Sequence, residues 1–134
     1  MTKIYLLFTG FLLSCNVQAQ MVVDFVWKLE HRCSTVSPEL AVSGAPSGTA
    51  KFVAKMVDND MPSYPHGGGS VEATTLPNME IPAGSLKDYK GPCPPNFSSF
   101  GHDYSWTVQA VDAAGQVIGS ATNTKTFSST KVPK

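Results

Sequence analysis

Apolar and polar residues alternate one by one along several short runs of this chain, and no run keeps a helical period over three turns. A period of two is the pattern of a strand with one face buried. In "KFVAKMVD" (51–58), Phe52, Ala54 and Met56 fall on one face, and Lys51, Val53, Lys55 and Val57 on the other. In "YSWTVQAVD" (104–112), Tyr104, Trp106, Val108 and Ala110 share a face. "VVDFVWKL" (22–29) is rich in β-formers, "AAG" turns 104–112 into "QVIGSA" (116–121) as a hairpin, and "TKTFS" (124–128) closes the sheet. The 10 prolines and 11 glycines gather between these runs. Short strands punctuated this way predict an all-β fold, a sandwich or barrel with short helices or turns at most. A length of 134 residues favours one domain.

The beginning of the chain differs from the rest. "MTKIYLLFTGFLLSCNVQAQ" opens with Lys3, continues through an apolar run and reaches small residues near "VQA". That order is the order of a secretory signal, so residues 1–19 are expected to be removed after Ala19, leaving a single domain over 20–134. The apolar run, about ten residues, is too short to span a bilayer. The expected location is secreted or periplasmic. A lipoprotein reading would use Cys15, with Leu13 where a smaller residue is usual.

Ten basic residues face ten acidic ones, and losing Lys3 leaves nine against ten. A chain so balanced has no basic surplus for nucleic acid. Of the three cysteines, Cys33 and Cys93 lie beyond the leader. In an oxidising compartment an isolated pair forms a bridge; two buried thiols is the alternative. The spacing fits neither a zinc ribbon nor a redox motif.

"YPHGGGSV" (64–71) invites a catalytic reading, because a His-Gly-Gly-Gly loop makes an oxyanion hole in some esterases. That chemistry needs a nucleophile elbow, G-x-S-x-G, on an α/β sheet, and the chain has none. No catalytic residue and no cofactor is assigned, and the chain is not read as an enzyme. The glycines are instead expected to let the chain leave a strand and to offer N–H groups as a small anion nest.

Three polar stretches fall at strand ends: "VDNDMP" (57–62), "YPH" (64–66) and "GPCPPNFSSFGHDYSW" (91–106). "SPELAVSGAPSGT" (37–49), "DNDMP" (58–62) and "GPCPP" followed by "GHDYSWTVQAVD" resemble, in this order, the motifs of the phosphatidylethanolamine-binding proteins. The likeness runs over roughly 33–128 and is strongest to the short secreted bacterial members of the Raf-kinase-inhibitor-like branch. It implies a β-sandwich of the phosphatidylethanolamine-binding type with a shallow pocket for a small anionic or phosphorylated ligand, such as a phosphate ester or acetate. By position it makes Asp58, His66, His102 and Tyr104 ligand-binding and places Pro94 and Pro95 at the rim. A protein partner, met through that rim as an inhibitor or regulator would, is the alternative, and a hydrolase with a His/Asp acid–base pair is a further one. The pattern departs at Asn59, where the family has proline, at Asp103, where it has arginine, and at "PHGGG", which replaces a tryptophan-flanked histidine strand.

An aspartate in an anion pocket is awkward, since two like charges 4 Å apart repel by about 4 kcal/mol at an effective dielectric of 20. The expected resolution is that Asp58 favours a charged imidazole and the pair presents a net cation. Each residue also has a structural reading: Asp58 and Asp60 as turn organisers, His66 as a loop histidine, His102 as a partner of a carbonyl, and Tyr104 as core. Two histidines and an aspartate could also hold zinc with a position open, although no local ligand motif supports it.

Overall fold

The computed structural model describes residues 20–95 and 100–134. The expected leader, Cys15 and residues 96–99 lie outside them. Among the described residues seven strands form two antiparallel sheets. The smaller holds β1 (Val22–Asp24), β2 (Leu40–Ser43) and β5 (Met79–Ile81) in the order β1-β2-β5. The larger holds β3 (Thr49–Asp58), β4 (Gly68–Glu72), β6 (His102–Asp112) and β7 (Val117–Phe127) in the order β4-β3-β6-β7. One short 3-10 turn, Leu29–His31, is the sole helical element among the described residues. The all-β sandwich expected from the alternation is the observed fold, and no helix among the described residues is long and apolar enough to cross a membrane.

The alternation decides what is buried. Phe52, Ala54 and Met56 of β3 and Tyr104, Trp106, Val108 and Ala110 of β6 all face the core. The facing layer is supplied by Leu40, Val42 and Ile81 of the smaller sheet together with Met21, Val23, Phe25 and Trp27. Ladder pairing in the run 22–29 stops at Asp24, yet burial continues to alternate through Trp27. The extended conformation, more than the hydrogen-bonded ladder, sets which side chains turn inward. The two runs expected at 116–121 and 124–128 are one strand, β7, that flanks β6 from end to end. Its outward threonines hid its continuity: Thr124 and Thr122 bond Ser105 and Thr107 across the solvent face at 2.7 and 2.8 Å.

Cys33 and Cys93 are joined, closing a loop of 60 residues. On the chain-entropy estimate such a loop contributes about 4 kcal/mol. The bridge is flanked by two backbone bonds, Cys33 N to Pro92 O at 2.8 Å and Gly91 N to Ser34 O at 2.7 Å. The segment that carries Cys93 and Pro95 is thereby fastened to the end of the sandwich where β3 ends and β6 begins.

Candidate functional site

β3 and β6 run antiparallel with Asp58 opposite Tyr104. One more step of the inward alternation on β3 after Met56 therefore reaches Asp58. One step before Tyr104 on β6 reaches His102. The same pattern that builds the core ends, at this edge, in a carboxylate and an imidazole. Asp58 is 3% exposed, and Tyr104 is fully buried.

The Asp58 carboxylate is well supplied with donors. Oδ1 accepts the backbone N–H groups of Asp60 at 2.9 Å and Met61 at 3.0 Å. Oδ2 lies 2.7 Å from His102 Nδ1, a length typical of a charge-assisted bond. Oδ2 is also 3.9 Å from Nε2 of His66, beyond hydrogen-bond reach but close enough for charge to be felt. Burial pushes the Asp58 carboxyl up, but the His102 hydrogen bond, the Asp60 N–H, the His102 charge and the Met61 N–H together hold it below its ordinary value. Asp58 is thus a carboxylate at neutral pH despite its burial.

His66 comes from a loop. Its Nδ1 is 2.8 Å from the carbonyl oxygen of Lys90, which can only accept, so Nδ1 carries a proton and Nε2 is turned toward Asp58. The backbone returns the contact, with Lys90 N donating to His66 O at 2.8 Å. The glycines explain why this loop fits. Gly67 has φ +70°, and a Cβ there would fall 1.9 Å from Asp88 O. Gly68 opens β4 against β3, and a Cβ would meet Ala54 O at the same distance. The glycines therefore lead into a strand instead of out of one. Gly68 N donates to Asp88 O, which removes it from the expected anion nest.

Tyr104 closes the floor. Its ring meets His66 edge-on at 5.3 Å and lies 6.2 Å from His102. Burial pushes its hydroxyl far above the ordinary range, and the charge and hydrogen bond of Asp58 add to the shift, while a bond from the Cys93 backbone opposes it. It stays protonated at neutral pH and serves both readings, core ring and pocket hydroxyl.

Above this floor lies a cavity of about 360 Å³ lined by Asp58, Met61, Tyr64, His66, Cys93, Pro95, His102 and Tyr104. Five of the six expected pocket residues meet there. Pro94 does not: it is buried behind the lining while Pro95 faces out, as successive residues of an extended segment must. Sequence reasoning missed Met61, Tyr64 and Cys93 as wall residues. Tyr64 sits in the quoted "YPH" and stacks at a tilt 4.6 Å from His66, but no periodicity marks a loop residue.

The two-histidine set that the zinc reading needs is not formed among the described residues. Oxygen and nitrogen atoms of Asp58, Asp60 and His102 lie within 4.8 Å of one another. His66, required by the zinc reading, is not in that group. His102 Nδ1 and both Asp58 oxygens carry hydrogen bonds, and Asp60 Oδ2 accepts Asp103 N at 2.7 Å. Asp60, exposed and outside the cavity lining, adds a second carboxylate beside His102.

Comparison with known proteins agrees with this geometry. The family profile described as "PBP: Phosphatidylethanolamine-binding protein" matches residues 16–132. Among solved structures the chain is similar to E. coli YbcL, described as a new member of the mammalian PEBP family, with a TM-score of 0.61 and 18% identity over 82% of this chain and 99% of that one. No curated protein gave a match. With the profile spanning the sandwich and the strand-end cluster, the chain belongs to the phosphatidylethanolamine-binding protein family.

Proposed function

We propose that this protein is a secreted or periplasmic binding module of the short Raf-kinase-inhibitor-like bacterial type, with residues 1–19 a removable leader and 20–134 the working domain. Proteins of this family are generally non-catalytic ligand-binding modules, and the chain is not an enzyme. It holds a small anionic or phosphorylated ligand over Asp58, His66, His102 and Tyr104, with Pro95 at the rim. One observation carries this reading: a buried carboxylate bonded to one imidazole and facing a second, at the base of an open cavity.

The chemistry is that of a supported donor set. Asp58 engages Nδ1 of His102, so Nε2 is the nitrogen left for a ligand. A proton added to either imidazole gives a further donor and removes one unit of repulsion toward an anion. Titration calorimetry with acetate at pH 6 tests this. Binding that is lost in His102→Ala and His66→Ala is expected. Affinity unchanged in both variants refutes the imidazole role.

A protein partner is the second reading. Met61 and Tyr64 favour it, standing 50% and 44% exposed at the pocket mouth. A partner bound through them would be retained on immobilised protein whether or not acetate is present, and would be lost with Met61→Ser.

A further inference from the structure

We infer that the outer face of the smaller sheet is a second binding surface, for an extended peptide segment that bears lysines. It shares no lining residue with the cavity at the ends of β3 and β6.

The register of three strands builds it. Asp24 of β1 pairs with Ala41 of β2, and Ala41 pairs with Glu80 of β5. These three turn away from the core, since the residues beside them in each strand, Val23, Leu40, Val42, Met79 and Ile81, are buried. Two strand spacings set the positions of the two acids about 10 Å apart. The small Ala41 leaves a trough between them, part of a cavity of about 440 Å³ that extends to the turn Leu29–His31.

The charge of this cavity is one-sided. Asp24, Glu30, Glu39 and Glu80 line it against a single lysine, Lys28. Asp24 is bonded by Lys125 Nζ at 2.6 Å, and Glu30 stands 3.9 Å from Lys28. Glu39 and Glu80 have no ion pair among the described residues, so two negative charges are left for an occupant to meet. The floor adds Ala41, Ala83 and Val26, the last 60% exposed. Lysine suits that combination, because it lays its methylene stem on apolar surface while its ammonium reaches a carboxylate.

Acidic side chains alone would accept any cation. His31 narrows the choice. It lines the same cavity yet is only 9% exposed. Its Nδ1 accepts Lys28 N at 2.9 Å, so in the neutral ring Nε2 carries the proton. That N–H has no hydrogen-bond acceptor among the described residues. A buried donor favours an occupant that brings an acceptor, and a peptide brings a carbonyl at every residue along with its side-chain cations.

NMR titration of the isotope-labelled protein at neutral pH and low salt tests this with three probes: acetyl-Lys-Gly-Lys-amide, acetyl-Glu-Gly-Glu-amide and the linear diamine cadaverine. The lysine peptide is expected to shift the amides of Ala41 and Glu80 and the Nε2 resonance of His31, and the glutamate peptide to shift none of them. Glu39→Gln combined with Glu80→Gln, both exposed positions outside the core, should weaken the lysine peptide by about threefold or more. Added salt should weaken it as well. A lysine peptide that leaves this face or His31 Nε2 unmoved, or that binds the double variant as tightly as the parent, overturns the inference. Cadaverine binding as tightly as the peptide also overturns it, because the face would then take any organic cation.

Discussion

Replacing Asp58 by asparagine probes the centre of the site with least change of shape. Asparagine keeps an oxygen for the Asp60 and Met61 N–H groups, which Oδ1 now accepts at 2.9 and 3.0 Å. It loses the charged partner of His102 Nδ1, 2.7 Å away. Hydrogen bonds to charged groups contribute about 1.5–3 kcal/mol. Alanine would strand all three donors at once, and breaking a buried pair costs about 3–5 kcal/mol. Unfolding entropy is about 2.1 cal/mol/K per residue, so for a domain near this size 1 kcal/mol moves Tm by about 4 °C. The asparagine variant should melt about 6–12 °C below the parent at pH 7, and the alanine variant lower still. The sign in acid can also be worked out. The folded Asp58 is held below its ordinary value of 3.8, so its contribution is complete above the unfolded value and disappears as pH falls through the lower, folded one. Thermal melts of parent and Asp58→Asn between pH 7 and 2.5 should therefore converge in acid. A variant that melts with the parent at neutral pH, or that keeps a constant offset to pH 2.5, refutes the account of this carboxylate as a charged, bonded anchor.

The remaining predictions concern the supports of the site. His31 is buried, and its Nδ1 accepts Lys28 N at 2.9 Å, so the fold needs it neutral. Burial, chiefly, lowers its folded value below 6.5, and its contribution is present above pH 6.5 and lost as pH falls through that folded value. Urea midpoints should fall below pH 6.5 in the parent and much less in His31→Asn, whose side-chain oxygen can take the Lys28 N–H. At Gly67 a Cβ would sit 1.9 Å from Asp88 O in a backbone with φ +70°. Gly67→Ala should lower stability by about 2 kcal/mol or more and weaken acetate binding by displacing His66, both read from urea unfolding with and without acetate.

Much of this site is written in the alternation of β3 and β6. Phe52, Ala54, Met56 and then Asp58 lie on one face, and His102 precedes Tyr104 and Trp106 on another. What the sequence leaves open is the meeting of the two strand ends. Pairing of Asp58 with Tyr104 spans 46 positions of chain, and no local pattern encodes such a register. The short strands β2, β4 and β5 escaped notice for a different reason. They have three to five residues each, too few for a period to show, and β4 begins with glycines. β7 looked like two strands because it stands at the edge of its sheet, where one face is wet and threonine, serine and asparagine interrupt the apolar count.

The sequence by itself determined the class of fold and the presence of a polar set at strand ends, because side-chain period and residue chemistry are local properties; it left the cysteines either bridged or as two thiols, and the structure joins them. Tertiary structure alone decided that Asp58 binds His102, that His66 is turned by Lys90 O, and that Pro95 and not Pro94 reaches the cavity. Those outcomes depend on distances between segments far apart in the chain, and such distances exist only once the sheets have paired and the core has closed.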